Sequence, residues 1–303
     1  MGNKFKFRAS PAGVHLFDRS TGFNVLIDEI RPSSLFWSKA PRQISIALTN
    51  ACDLSCHYCY APKHYSVANF ESLKKWLIEL DENGCMGVGF GGGEPTLYPK
   101  LQELLSFAAK ETRMAITMTT HGHQLSDRIL SGIAGNINFV RVSMDGVGET
   151  YESIRGRAFC DLLKRVEKLK QITLFGINYV VNSQTMKDLP KAVEIASDIG
   201  ASEFLLLPEE PVKLMPGIDE GTMRILIEWI ENYKGSLPMF ISESRAGFLS
   251  TCDPLKSETA LMAYAHIDAE GCIKINSYES QGVFIEKTGI VDALQKLKFN
   301  LGK

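Results

Sequence analysis

Residues 43–59 read QISIALTNACDLSCHYC. The run over residues 43–49 predicts a β-strand that leads directly into a cysteine-rich loop. Cys52, Cys56 and Cys59 fall within eight residues of that loop in a C-x3-C-x2-C pattern. Thiolates this close in sequence typically share one metal centre.

The presence of three clustered cysteines, and not four, bears on whether the site is a structural zinc site or an iron–sulfur cluster. A structural zinc site closes its shell with four ligands, whereas an iron–sulfur cluster held by three cysteines leaves one iron open to bind another molecule. The alternatives are a zinc site completed by His57 or His64, and cysteines that are merely packed in a core. Structural zinc sites usually draw ligands from two separated knuckles, and the chain has no second C-x2-C. The pattern favours an open iron–sulfur site.

Downstream of the cysteines, strand-like apolar runs alternate with helical patterns, which is typical of repeated βα units on a parallel sheet. Six strands are predicted, over residues 43–49, 86–90, 114–120, 139–144, 173–181 and 204–207. Six units are fewer than the eight that close a full barrel. We therefore expect an α/β fold with an open, partial (β/α)6 TIM-like barrel, with its chemistry at the carboxyl ends of the strands.

Two flanking segments depart from this rhythm. Residues 1–30 predict short antiparallel strands separated by turns, and residues 263–277 predict a hairpin around Glu270-Gly271, followed by a helix near 290–298. We expect an N-terminal β-hairpin region over 1–38, the partial barrel over 39–236, and a short α+β C-terminal extension over 237–303.

Composition limits the class of protein. The formal net charge is −2, with 22% charged residues and no long basic run, which argues against general nucleic-acid binding. No apolar stretch has the length of a membrane span, and the first residues lack the apolar segment of a signal peptide. Seven cysteines, three of them crowded together, do not resemble a secreted disulfide framework. A reducing, cytoplasmic setting is expected.

The cysteine pattern, with an aromatic residue directly before the third cysteine, resembles the radical S-adenosylmethionine (SAM) enzyme superfamily. Gly92-Gly93-Glu94-Pro95, after the second predicted strand, is similar to the GGE motif of that superfamily. The resemblance covers about residues 43–211. It implies a [4Fe–4S] cluster on Cys52, Cys56 and Cys59, whose open iron binds the amino and carboxylate groups of SAM.

The resemblance also implies an activity. In this superfamily, reduction splits SAM into methionine and a 5′-deoxyadenosyl radical, which removes a hydrogen atom from the substrate. A reductant such as flavodoxin or ferredoxin is then the expected partner, without nucleic acid or membrane. The substrate class suggested by the resemblance is a peptide or an amino-acid-derived compound in biosynthesis or modification. The alternatives are a small metabolite or nucleotide, or a non-catalytic iron–sulfur or zinc protein.

Further side chains are assigned to SAM by their positions in the superfamily's motifs. Glu94 can accept hydrogen bonds from the SAM ammonium, and glycines let the backbone approach the cofactor. Ordinary packing is the alternative for Tyr58, and a solvated or helix-capping role is the alternative for Arg155. The implied SAM contacts are Tyr58, Gly92, Gly93, Glu94, Thr119, Ser143, Asp145, Arg155, Asn178 and Leu207.

Candidate catalytic groups follow two of the predicted strands. Glu209 and Glu210 come after the sixth strand and His121 after the third, where paired carboxylates and an imidazole can perform acid–base work or bind a cationic group. A solvated loop pair is the alternative for the glutamates. Other residues expected near the opening are His123, Arg245, Tyr278 and Glu279.

The C-terminal extension resembles, distantly, the SPASM or twitch extensions that hold auxiliary iron–sulfur clusters. Cys252 and the turn at Gly271 match that pattern, but Asn276 stands where a cysteine would be expected, and Cys272 directly follows the glycine. Two cysteines cannot supply the four thiolates of a conventional cluster. A degenerate extension without a cluster is therefore expected.

Overall fold

The N-terminal segment forms a small antiparallel sheet of its own. The computed structural model describes residues 5–212, 215–242, 247, 249 and 255–302. Strands β1 (Lys6–Ser10), β2 (Gly13–Asp18) and β3 (Phe23–Ile27) pair in the order β1-β2-β3. The antiparallel strands predicted over residues 1–30 are confirmed, with the turns where Pro, Gly, Asp and Ser cluster.

Within the described part of the chain, the main sheet contains ten strands in the order β10-β9-β8-β7-β6-β5-β4-β11-β12-β13. The first six in chain order are β4 (Gln43–Thr49), β5 (Gly87–Gly92), β6 (Ala115–Thr120), β7 (Phe139–Ser143), β8 (Leu174–Val181) and β9 (Phe204–Pro208). The last four are β10 (Met239–Ile241), β11 (Tyr264–Ile267), β12 (Cys272–Lys274) and β13 (Val283–Phe284). Strands β4 to β9 pair in parallel with sequential neighbours, so the predicted succession of six strands is confirmed.

Helices connect the strands and cover the outer face of the sheet. They are α1 (Phe70–Glu82), α2 (Leu101–Glu111), α3 (Asp127–Ile133), α4 (Glu149–Arg155), α5 (Phe159–Leu169), α6 (Leu189–Asp198), α7 (Glu220–Asn232) and α8 (Ile290–Leu301). Side chains cap several of them. Asn69 accepts from the Ser72 amide at the start of α1, and Asp219 accepts from the Thr222 amide at the start of α7. Among the residues the structure describes, no helix is long and apolar enough to span a membrane.

The sheet remains an open barrel, as predicted, because β10 and β13 end it at opposite edges. The predicted hairpin in the extension is present as antiparallel β11 and β12. One feature was not predicted: β11 also pairs in parallel with β4, so the extension supplies a strand to the barrel wall. Alternation within a strand does not specify its neighbour, which is why this pairing could not be read from sequence.

The two faces of the barrel strands meet different surroundings. On β4, Ile44, Ile46 and Leu48 are fully buried in the core beneath the helices. The opposite face carries small or polar residues, such as Ser45 and Gly89, which line a central cavity of about 460 Å³. A closed TIM barrel fills its interior with branched apolar side chains. Here the interior, called the lumen below, is left open for a ligand.

Candidate active site

Two loops at the carboxyl ends of β4 and β5 are joined through their backbones. The amide of Gly93 donates to the Thr49 carbonyl (2.7 Å), and the amide of Glu94 donates to the Ala51 carbonyl (2.8 Å). These bonds tie the glycine–glycine–glutamate segment directly to the start of the cysteine loop, residues 52–59. The structure therefore brings together the two motifs that stand about thirty residues apart in sequence.

Glycine is required where these loops meet. Gly92 has φ +123°, and a Cβ on it would lie 2.3 Å from the Thr49 carbonyl oxygen. A Cβ on Gly93 would lie 2.3 Å from the Ala51 carbonyl oxygen. Real Cβ atoms do not approach backbone so closely, so any side chain here would push the two loops apart.

Glu94 is completely buried, and its carboxylate is held by neighbouring donors. Oε1 accepts from the Thr96 amide (3.1 Å) and hydroxyl (2.6 Å) and from the Thr120 hydroxyl (2.7 Å). Oε2 accepts from the His121 amide (3.0 Å). Three of these donors reach Oε1 and one reaches Oε2, so Glu94 is held as a fixed, buried negative charge while Oε2 keeps capacity to accept a further hydrogen bond.

His121 lies beside the first cysteine and is buried. Its Nε2 is 2.8 Å from Asp53 Oδ1, and the ligand atoms of Cys52, Asp53 and His121 lie within 4.8 Å of one another. Gln124 and Arg157 also donate to Asp53. These hydrogen bonds outweigh the effect of burial and lower the pKa of Asp53 to about 2, so an ionised carboxylate fixes the imidazole.

Tyr58 belongs to a buried polar network that links the cysteine loop to β7 and β8. Its hydroxyl donates to Asp145 Oδ2 (2.6 Å), which also accepts from Arg155, while the Val180 amide donates to Asp145 Oδ1 (2.7 Å). Burial alone would lower the pKa of Arg155, but the Asp145 carboxylate raises it overall. Arg155 Nη1 lies 3.5 Å from Cys56 Sγ. This arginine is neither solvated nor a helix cap; it lies in the site.

Other predicted SAM contacts line the lumen. Thr119, Ser143, Asn178 and Leu207 all face it from successive strands. Asn178 Oδ1 is buried and has no hydrogen-bond partner among the described residues. An orphaned buried acceptor is costly unless a ligand satisfies it. The lumen therefore contains at least one polar atom suited to a bound molecule.

The paired glutamates lie at one side of the lumen opening. Glu209 is buried and accepts from Asn182 Nδ2 (2.7 Å). Tyr278 faces the same opening, with its ring centroid 5.0 Å from that of Tyr60. Burial, and then the nearby Glu210 carboxylate, raise the pKa of Tyr278 to about 12. Acidic and aromatic groups thus share this part of the opening.

The remaining residues expected near the opening are placed differently. His123 lines a separate surface cavity, and its Nε2 lies 2.8 Å from the Tyr151 hydroxyl. Glu279 is exposed, and its backbone amide donates to Asn276. Arg245 and Cys252 lie outside the described residues.

Sequence reasoning missed a polar cluster inside the lumen. Ser45 Oγ lies 2.5 Å from the Tyr264 hydroxyl and 2.7 Å from His266 Nδ1. Burial lowers the pKa of His266 to about 4, so its imidazole is neutral near pH 7. Alternation along β4 could have placed Ser45 inward, but only the unpredicted β11–β4 pairing brings Tyr264 and His266 beside it.

Comparison with known proteins agrees with this geometry. Residues 46–196, which include both loops and strands β5 to β8, match the Radical SAM superfamily. The chain belongs to the radical SAM superfamily. Members of this superfamily are enzymes that use a [4Fe–4S] cluster and SAM.

The chain is similar in sequence to a peptide cyclase and to a heme synthase. The PqqA peptide cyclase of Granulibacter bethesdensis is 32% identical over 171 residues, which is 54% of this chain and 46% of that protein. The AdoMet-dependent heme synthase of Methanosarcina barkeri is 28% identical over 229 residues, 72% of this chain and 63% of that protein. The chain thus spans less than two thirds of either relative's length.

The radical SAM fold is also seen in a solved structure. SuiB of Streptococcus suis, bound to S-adenosylmethionine, superposes with a TM-score of 0.72 at 15% sequence identity. The match covers 91% of this chain and 82% of that one. At this identity the similarity establishes the fold.

The residues present fit a [4Fe–4S] cluster and SAM. Three thiols lie on one loop at the lumen, and the glycines beside them leave the backbone accessible. The buried Asn178 Oδ1, which has no partner among the described residues, can accept a hydrogen bond from a bound molecule. His64 does not complete a zinc site in this structure. Its Nε2 lies 2.6 Å from Glu270 Oε1, at an exposed position.

Proposed function

We propose that this chain is a radical SAM enzyme that abstracts hydrogen from a peptide or an amino-acid-derived substrate. The observation that carries the proposal is the backbone pairing of the cysteine loop with the glycine–glycine–glutamate loop, above an open polar lumen. A protein that merely stored a cluster would have no use for a second loop held against the cysteines, or for an unfilled barrel interior.

Three side chains hold the cluster in this proposal: Cys52, Cys56 and Cys59. A [4Fe–4S] cluster held by these thiolates would supply one-electron reduction of SAM, the chemistry that yields methionine and a 5′-deoxyadenosyl radical. Burial raises the pKa of Cys56, so ligation must release its thiol proton. Arg155, close to the Cys56 sulfur, provides a positive charge that favours the thiolate.

The SAM-binding roles are distributed over both loops and four strands. Glu94 contributes a buried negative charge for the SAM ammonium, and Gly92 and Gly93 allow close approach of the backbone. Asp145 positions Tyr58 and Arg155. The remaining proposed contacts come from the lumen wall: Thr119, Ser143, Asn178 and Leu207.

The substrate side of the lumen offers acid–base groups. Glu209 and Glu210 lie at the opening, where they can bind a cationic group or move a proton. His121 is the third candidate; its ring is fixed by Asp53 beside the cysteine loop. Deeper in the lumen, the Ser45 cluster provides neutral donors and acceptors that can orient a polar group of the substrate.

The relatives support two substrate classes. Similarity to a PqqA peptide cyclase, at 32% identity, favours a peptide. Similarity to an AdoMet-dependent heme synthase keeps the same chemistry on a small metabolite or nucleotide as the second candidate. In either case a low-potential electron donor, such as flavodoxin or ferredoxin, is the proposed partner.

The decisive experiment is anaerobic reconstitution followed by SAM and dithionite. We expect 5′-deoxyadenosine from the wild type and from Cys160→Ser, an exposed cysteine, but not from Cys56→Ser. An intact cluster that yields no 5′-deoxyadenosine would instead identify a non-catalytic iron–sulfur protein. Deuterium transfer into 5′-deoxyadenosine from deuterated peptide mixtures or deuterated metabolite extracts then distinguishes the two substrate classes.

A further inference from the structure

Glu209 is a buried carboxylate with a single side-chain hydrogen bond among the described residues. It directly follows β9 and is 6% exposed. Alternation along β9 places it on the same side as Leu205 and Leu207, toward the lumen. Its one donor is the neutral side-chain amide of Asn182 (2.7 Å). A carboxylate has about four acceptor sites, so Glu209 keeps most of its hydrogen-bonding capacity for a molecule in the lumen.

The arginines that line the lumen in the described chain are paired with other carboxylates. Arg155 pairs with Asp145, and Arg141 pairs with Glu203. Glu203 precedes β9 and Glu209 follows it, a separation of about 20 Å along an extended strand. The Arg141 pair therefore lies at the amino ends of the strands, the barrel floor. Acidic side chains are rarely buried without a partner, so Glu209 is suited to a cation that a bound molecule brings.

Aromatic rings border the same part of the lumen. The ring centroids of Tyr60 and Tyr278 lie 5.0 Å apart, and both residues line the lumen. Burial is the largest cause that raises the pKa of Tyr278 to about 12, and the carboxylates of Glu210 and Glu209 add to it. The tyrosine is therefore neutral near pH 7 and lies within electrostatic reach of both carboxylates. Organic cations are attracted to the face of such a ring within about 6 Å.

This combination fits an organic cation better than a metal ion. In the part of the chain that the structure describes, neither Glu209 nor Glu210 belongs to a group of three potential metal ligands within 4.8 Å of one another. A dedicated metal site needs such a group. A carboxylate beside an aromatic ring instead suits a protonated amine or a guanidinium, which donates charge-assisted hydrogen bonds and lies against the ring.

We propose that the substrate carries a protonated amine or guanidinium group, and that Glu209 binds this group with Tyr278 beside it. The inference rests on the proposed function and narrows its substrate class. The proposed SAM contacts reach β9 at Leu207, and Glu209 lies two residues further toward the opening. A cation bound there anchors the substrate next to the SAM site. In this role Glu209 determines specificity through binding.

Isothermal titration calorimetry of the reconstituted full chain, with SAM bound and no reductant, tests the proposal. The probes are Nα-acetyl-lysine amide and Nα-acetyl-norleucine amide, which differ by one ammonium group. Wild type should bind the lysine probe at least about tenfold more tightly, because the neutral probe leaves the Glu209 carboxylate without its partner. Nα-acetyl-arginine amide should bind as the lysine probe does.

Glu209→Gln removes the charge while its side chain can still accept from Asn182. It should bind the lysine probe about tenfold more weakly and the norleucine probe as the wild type does. Tyr278→Leu, which removes the ring, should weaken lysine binding about threefold. The matched control is Glu228→Gln, at an exposed position on α7, which should bind both probes as the wild type does. Iron content and circular dichroism check that each variant is folded.

Two results for the wild type would overturn the proposal: equal affinity for the lysine and norleucine probes, or binding of neither at millimolar concentration. An unchanged lysine affinity in folded Glu209→Gln, or an equal loss for both probes, would also overturn it. Tyr278→Leu provides the same test if Glu209→Gln does not fold. The proposed function fails by a different result, the absence of 5′-deoxyadenosine when dithionite is added to the same wild-type preparation.

Discussion

Asp145 shows how one buried carboxylate organises a site. From sequence it was a candidate SAM contact at the end of β7, by resemblance alone. In the structure its two oxygens accept from the Tyr58 hydroxyl, the Arg155 guanidinium and the Val180 amide. With these partners, Asp145 acts on the site by holding Tyr58 and Arg155 in place beside the cysteine loop.

We expect Asp145→Asn to lower the free energy of unfolding by about 3–5 kcal/mol, because it leaves the buried Arg155 cation without its partner. Urea unfolding of the iron-free protein measures this effect. Asp161→Asn removes an exposed pair with Lys164 and should leave the unfolding free energy almost unchanged. Equal stabilities of the two variants would show that the Asp145 network contributes nothing.

At the scale of an element, β5 serves both the fold and the site. Val88 and Phe90 are buried on its outer side, while Gly87, Gly89 and Gly91 place no side chain on its other side. A Cβ on Gly91 would meet no atom within 4 Å. The strand thus keeps the lumen open, and the following Gly93 lets its end approach the cysteine loop.

Gly91 and Gly93, two positions apart, should therefore differ sharply in their tolerance of alanine. Gly93→Ala forces a Cβ against the Ala51 carbonyl, so we expect about 1–3 kcal/mol of destabilisation and reduced iron incorporation. Gly91→Ala should keep wild-type stability and iron content. Thermal unfolding and iron analysis of both variants make the comparison, and similar losses in both would contradict the loop-contact explanation.

At the scale of the whole molecule, the three cysteines outside the loop that the structure describes are dispersed. Cys85 is buried beneath the barrel floor, Cys160 is exposed on α5, and Cys272 is buried on β12. Among the residues the structure describes, the one group of potential metal ligands that lies close together includes Cys52, with Asp53 and His121. A single cluster per chain, on Cys52, Cys56 and Cys59, therefore stays a prediction that rests on Asn276 standing where a further cysteine would be expected.

Iron analysis of the reconstituted protein should accordingly give about four irons per chain. Cys272→Ser should retain that iron, whereas Cys56→Ser should lose most of it, because only the latter removes a proposed cluster ligand. About eight irons in the wild type, or a loss of iron in Cys272→Ser, would point instead to a second cluster in the extension.

Local patterns were sufficient for much of the fold. Strand-like apolar runs located β4 to β9, and the helical patterns between them predicted repeated βα units, because each element's own side chains specify its type. The cysteine spacing and the glycine–glycine–glutamate motif gave the family. Bounds shifted slightly: the second strand, predicted over 86–90, is Gly87–Gly92, because its last two glycines carry no strand propensity.

The order of the βα units, the cysteine cluster and the radical SAM membership could be predicted before folding, since these depend on residues near one another in the chain. The contacts between distant residues appear only once the chain is folded: Ser45 with His266, Tyr58 with Asp145, and Lys6 with Asp81. Alternation shows that Phe7 and Lys6 lie on opposite faces of β1, but not which face meets the barrel. That choice depends on the charges and carbonyls of the floor, which come from segments far away in sequence.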